Sequence, residues 1–205
     1  LAIAGLALVF VLAGGLVNNA NVFRSLVSAM PDFSVSAEVP APLPVAQRPA
    51  KRLMPAMAAA LDHVAQRYRV SPEALLPVFE AAQNAGREWR LDPLLIVAVI
   101  SIESGFNPFS QSSMGAQGLM QIIPRYHLEK LPKDAGSSAF LDPVINVELG
   151  ARILQEAIRR QGGLMEGLQY YAGALDDIEQ AYANKVMAER NRLEQASRRR
   201  NGVNS

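Results

Sequence analysis

From Leu53 onward, apolar residues recur at helical spacing. Leu53, Met57, Leu61, Val64 and Tyr68 lie three or four positions apart, which gathers them on one face of a helix. Ser71-Pro72-Glu73 then supplies an N-cap, a proline at the first helical position and an early acidic residue. Pro77 should kink or weaken that second helix, because its ring clashes with the preceding turn. Asp92-Pro93 repeats the start signal before an unbroken apolar run, Leu94 to Ile100, with Ile102 just after Ser101. That run has no polar face, so the spacing predicts a helix buried on all sides, the central strut of a domain. A loop rich in Gly, Ser, Asn and Pro follows from Gly105 to Gly118. Asn146 to Ile158 reads as a further amphipathic helix, and Leu175 to Leu193 as a last one with Leu175, Ile178, Tyr182, Val186 and Leu193 on one face. No stretch alternates with period two for long and no internal repeat is visible, so the expected class is all-α.

The first part of the chain reads differently. Leu1 to Val17 carries no charged side chain, and 17 helical residues would span about 26 Å, a little short of a hydrocarbon core of about 30 Å. It is expected to be a membrane anchor or a signal-peptide core. The small residues Val35-Ser36-Ala37 lie some way beyond the apolar run, which favours the anchor. Pro31, Pro40, Pro42, Pro44, Pro49 and Pro55 then form an extended, semi-rigid linker. The expected organisation is an anchor or signal segment at 1–23, a Pro-rich linker at 24–52, a helical domain at 53–197 and a basic flexible tail at 198–205.

Composition narrows the chemistry. The 205 residues contain no Cys and two His, with 20 Lys+Arg against 19 Asp+Glu. Disulfides, iron–sulfur clusters and thiol nucleophiles are therefore excluded, and a His-based metal site would need carboxylates to do most of the binding. No cofactor and no metal is expected. A net charge of +1 argues against a general nucleic-acid binder. His63 and His127 are read as solvent or packing residues, and Trp89 and Phe79 as core anchors.

Glu103 stands out against this background. It closes a wholly apolar helix, where desolvation and the negative end of the helix dipole both disfavour the anion. Met120 would add to the desolvation if it faced the carboxyl. A glutamate shifted upward from its usual value of about 4.3 can donate a proton near neutrality. By position alone, Glu103 could equally cap the loop or pair with an arginine.

The surrounding string separates these readings. Glu103-Ser104-Gly105-Phe106-Asn107-Pro108, followed by Gly115-Ala116-x-Gly118-Leu119-Met120-Gln121 and Pro124, resembles the soluble lytic transglycosylase (SLT) family, whose fold is lysozyme-like. The resemblance extends upstream to Leu91-Asp92-Pro93 and downstream to Asp142-Pro143, Asn146 and Gly150-Ala151-Arg152. It ends with Tyr170-Tyr171-Ala172-Gly173 and Tyr182-x-x-Lys185-Val186, so about 100 residues match in order. It implies cleavage of the β-1,4 bond between N-acetylmuramic acid and N-acetylglucosamine in peptidoglycan, with formation of a 1,6-anhydro end. Glu103 matches the family's single acid/base. Ser104 would hydrogen-bond near that carboxylate or the substrate. Gly118 and Leu119 belong to the implied cleft strand, with Met120 as apolar wall and Gln121 as polar contact. Tyr170 matches the tyrosine that holds the catalytic carboxylate. Tyr171 stands where the family commonly has Asn, so the amide contact expected there does not carry over.

The residues favour a one-carboxylate reaction independently. Ordinary glycosidases pair two carboxyl groups about 5–9.5 Å apart. No other Asp or Glu lies between Glu103 and Gln121, and Glu129, Asp134, Asp142 and Glu148 fall on expected loop or outer-helix positions. The alternatives are a lysozyme-type muramidase that hydrolyses the same bond, or a weakly active wall-binding component of an envelope-spanning machine. Peptidoglycan strands are the expected partner, with the membrane engaged through the N-terminal segment. The expected location is the cell envelope, with the domain in the periplasm.

Overall fold

Asp92 shows how local signals become architecture. Its Oδ1 accepts from the Leu94 amide at 2.9 Å and starts a helix at Pro93; its Oδ2 accepts from Arg190 Nε at 2.7 Å and ties that start to a helix 98 positions away. The computed structural model describes residues 52–131 and 136–203, all within the compact unit Pro49–Ser205. The apolar N-terminal segment, the Pro-rich linker up to residue 51, Asp134 and residues 204–205 lie outside the described residues.

Six α-helices occur among the described residues: α1 (Pro55–Tyr68), α2 (Pro72–Trp89), α3 (Pro93–Glu103), α4 (Pro143–Gln161), α5 (Leu164–Tyr171) and α6 (Ala181–Val203). Three short 3-10 turns lie between α3 and α4, and only isolated β-bridges, Gln111 with Gln117 and Gln117 with Ile122, replace strands. The described part is thus all-α, as the spacing predicts. No helix among the described residues is long and apolar enough to cross a membrane.

α3 is the strut. Leu94 through Ser101 are all buried, with α2 packed on one side and α6 on another. α1 closes the bundle against α2 and α6, and α4 packs on α2 and α5. Met57, Leu61 and Val64 turn inward from α1 as their spacing requires. Pro77 does not end α2, which runs through it to Trp89 with the proline on its exposed side.

Two boundaries differ from the sequence reading. α4 starts at Pro143 because Asp142 caps it, Oδ1 accepting from the Val144 and Ile145 amides at 2.9 Å each; this is the same Asp-Pro signal that opens α3. The last helix starts at Ala181 rather than Leu175. Gly173 turns with φ 67°, and Asp177 accepts from the Glu179 amide at 3.1 Å and the Ala181 amide at 2.8 Å, which holds 172–180 in turns. Leu175 and Ile178 are consequently exposed, at 54% and 97%. α5, a short helix between Gly163 and Ala172, is absent from the sequence reading altogether.

Candidate active site

Glu103 is the last residue of α3, half-buried at the rim of the core. Burial pushes its carboxyl above the usual carboxylate value, and a hydrogen bond from Tyr182 opposes that shift. The Tyr182 hydroxyl donates to Glu103 Oε1 at 2.5 Å. Burial and the nearby Glu103 charge drive the Tyr182 phenol far upward, so it remains a proton-bearing donor. The tyrosine that holds the carboxylate is therefore Tyr182, not Tyr170. Tyr170 instead accepts a hydrogen bond from Arg160 Nη1 at 2.8 Å. Tyr182 occupies the first turn of α6, which packs along α3 and so carries its hydroxyl to the end of the strut.

The turn after Glu103 is anchored by Phe106, buried with φ 66°. Its ring meets Tyr68 edge-on at 5.0 Å and lies parallel to Phe79 at 6.3 Å. These aromatic contacts hold a left-handed conformation that is costly for a residue with a side chain. Ser104 Oγ donates to the Ile100 carbonyl at 3.2 Å; it completes the end of α3 rather than contacting the carboxylate.

Residues 117–122 fold back on themselves, with Gln117 and Ile122 exchanging backbone hydrogen bonds at 2.8 and 3.0 Å. Asn146, wholly buried on α4, organises this segment. Its Oδ1 accepts from the Met120 amide at 2.8 Å, while Nδ2 donates to the Gln117 carbonyl at 3.0 Å and the Phe140 carbonyl at 2.7 Å. Gly118, at φ 77°, passes so near that a Cβ there would meet the Phe140 oxygen at 2.5 Å. Leu119 and Met120 point into the core and are essentially inaccessible. Met120 is therefore not an apolar cleft wall: its side chain packs on Gly150 of α4, and only its backbone serves the site. Gln121 does line the cleft, at φ 48°, with Nε2 donating to the Ser110 and Gly118 carbonyls at 3.1 and 3.0 Å.

Tyr171 joins this segment to the cleft. Its hydroxyl donates to the Met120 carbonyl at 2.7 Å, and its phenol is raised by burial and by the charge of Glu103. The cleft, about 830 Å³, is walled by Gln121, His127, Glu156, Arg160, Tyr170 and Tyr171, among others. Glu103 is not one of its walls; Tyr171 is the side chain that both lines the cleft and senses the carboxylate. His127, read from sequence as a solvent or packing residue, lines it too, and burial and Lys130 lower its pKa.

The sequence reading missed Glu156 and Asp176, two carboxylates that line the cleft, and Arg160. Glu156 accepts from Arg152 Nε at 3.0 Å and pairs with Lys130 Nζ at 3.2 Å. Burial raises it, but those two cations hold it below the ordinary value overall, so it is ionised at neutral pH. Helical spacing on α4 carries a signal for both residues, since Glu156 and Arg160 are four apart and share a face. Asp142 and Glu129 are engaged elsewhere, one as a cap and the other with Lys130 at 3.4 Å. Among the described residues no cluster of His, Asp and Glu is suited to a metal ion.

Fold and site together define an all-α domain in which a carboxyl group at the end of a buried helix is held by a tyrosine hydroxyl. The chain belongs to the transglycosylase SLT domain family, whose model matches residues 80–196. It is 32% identical over 120 residues to a protein named transglycosylase from Enterobacteria phage PRD1, covering 56% of this chain and 43% of that one. It is 38% identical over 79 residues to the endo-type membrane-bound lytic murein transglycosylase A of Klebsiella pneumoniae, covering 36% of this chain and 39% of that one. The chain thus spans less than half the length of these curated relatives.

Proposed function

We propose that the chain is a peptidoglycan lytic transglycosylase that cleaves the β-1,4 bond between N-acetylmuramic acid and N-acetylglucosamine. The observation that carries this reading is Glu103, a half-buried carboxyl with a raised pKa held by the Tyr182 hydroxyl. Protonated Glu103 gives its proton to the glycosidic oxygen as the bond to the anomeric carbon breaks. The resulting carboxylate, steadied by Tyr182, then takes the proton of the muramoyl 6-hydroxyl as that oxygen closes on the same carbon. No water is consumed, and the product carries a 1,6-anhydro end. The attacking hydroxyl is already attached to the reacting ring, so its effective molarity can reach about 10⁵ M against roughly 55 M for water. The family membership and the activity named for the relatives support the same reading. The cell envelope is the matching location, with residues 1–23 as membrane anchor or signal segment.

Digestion of purified peptidoglycan in ¹⁸O-labelled water tests the proposal. Anhydromuramoyl products by mass spectrometry, without label, are expected. The second reading is a lysozyme-type hydrolase, and the presence of ionised Glu156 in the cleft favours it. Label at the reducing ends, lost in Glu156→Gln, would establish that reading instead.

A further inference from the structure

Acid/base chemistry at Glu103 leaves one pair of cleft residues unused. Arg160, in the last turn of α4, donates Nη1 to the Tyr170 hydroxyl at 2.8 Å, and its guanidinium carbon stands 5.6 Å from the centre of the Tyr170 ring. Both side chains are exposed and both line the 830 Å³ cleft. Among the described residues Arg160 forms no ion pair, although Glu156 and Asp176 line the same cleft, whereas Lys130, the other cation of the cleft wall, is paired with Glu129 and Glu156. A guanidinium carries five N–H donors in a planar fork, and the tyrosine engages only one of its nitrogens. The ring and hydroxyl of Tyr170 fix the plane of that fork before any ligand arrives, which reduces the ordering cost of binding. Complementing the α4 dipole does not require this placement. Arg159 does the same from the adjacent, exposed position without lining the cleft.

We propose that Arg160, oriented by Tyr170, binds a carboxylate carried on the side branches of the glycan and thereby selects which strands the cleft accepts. This rests on the peptidoglycan reading above. Two carboxylates of that substrate fit the fork: one on an attached peptide and, on a muramoyl residue that carries no peptide, the lactyl carboxylate that the peptide would otherwise hold as an amide.

Calorimetric titration of the full chain carrying Glu103→Gln, which binds without turnover, distinguishes them. Four probes are used: peptide-bearing strands, strands stripped of peptide by an amidase, and each of these with its carboxylates converted to methylamides. Neutralising the carboxylates is expected to weaken binding about tenfold, the low end for a charge-assisted contact in an open site. Adding Arg160→Gln should cut that ratio to below about twofold, and Tyr170→Phe should leave an intermediate value. Arg159→Gln should keep the tenfold ratio. Weakening on neutralising the peptide-bearing strands assigns a peptide carboxylate; weakening on neutralising the stripped strands, whose lactyl carboxyl the amidase has freed, assigns the lactyl one. Equal affinity for charged and neutralised strands would overturn the proposal, as would loss of the ratio in Arg159→Gln, which would point to the general field of the helix end. A folded protein that binds none of the four strands would overturn the peptidoglycan reading as well.

Discussion

Glu103 is held between two opposing influences. Burial favours its protonated form, and the Tyr182 hydroxyl favours the anion. In the proposed reaction Glu103 is the general acid and must be protonated in the free enzyme, so kcat/KM should fall as pH rises through the folded pKa. Tyr182→Phe removes the influence that lowers that pKa. Its alkaline limb should move to higher pH while the rate falls by about tenfold, the loss of one hydrogen bond to a charged group; a pH–rate profile of both proteins checks this. Glu103→Gln should lose at least about a hundredfold in turnover. The same substitution has a stability signature of definite sign. Below 4.5, the unfolded value, the carboxyl is protonated in both states and burial costs little. As pH rises through the raised folded value, the native state loses stability that the unfolded chain does not. The melting temperature of Glu103→Gln relative to the parent should therefore be higher at pH 8 than at pH 4. Asn146 is the complementary case, a buried polar residue fully engaged. Asn146→Leu would strip partners from the Met120 amide and the Gln117 and Phe140 carbonyls and should cost about 3 kcal/mol in denaturant unfolding.

Between elements, contact distances decide what is tolerated. α4 and the 117–122 segment meet at Gly150, where an added Cβ would lie 2.5 Å from Met120 Sδ and 2.7 Å from its Cβ. Met120 is wholly buried and has nowhere to retreat. Gly150→Ala should destabilise by about 1–3 kcal/mol and, by displacing the Met120 carbonyl from Tyr171, lower activity beyond the stability loss. Denaturant melts and turnover measured well below the melting temperature separate the two effects. Near the C-terminal end of α3, α1 and α6 are joined through Glu189, 1% exposed, which accepts from Arg192 Nη1 at 2.7 Å and from Arg67 Nη1 at 3.2 Å. Ser101 Oγ donates to the same carboxylate at 3.3 Å and shares a 2.5 Å hydrogen bond with the Tyr68 hydroxyl. Spacing puts Glu189 on the same face as Tyr182, Val186 and Leu193, but only the tertiary contacts show how its charge is matched, by Arg67 and Arg192.

At the scale of the molecule, every side chain assigned to proton transfer and to the cleft lies within the unit Pro49–Ser205. A protein beginning at Pro49 is expected to melt cooperatively and to release the same products from peptidoglycan as the longer chain. Circular dichroism melts and product analysis of the two proteins check this; a shortened protein that folds but is inactive would show that residues 1–48 complete the site.

The amino-acid order alone determined whatever depends on neighbours within one or two turns. The Ser71-Pro72 and Asp92-Pro93 starts, the inward face of α1 and the apolar strut ending at Glu103 are all of this kind, because capping and helical spacing act over about four residues. The ordered motif from Glu103 to Gln121 marked the site in the same local way. Tertiary structure decided which side chains converge there. Tyr170 and Tyr182 are both plausible partners for Glu103 along the chain, and only the packing of α6 on α3 brings Tyr182, 79 positions away, to the carboxylate while α5 turns Tyr170 toward Arg160. Met120 points inward because Asn146 grips its amide and Gly150 leaves room for its sulfur. Leu175 and Ile178 fit a helical face in sequence, yet Gly173 and the Asp177 cap hold them in turns that packing leaves outside the core. Such outcomes depend on distances between helices far apart in sequence, which no local pattern encodes.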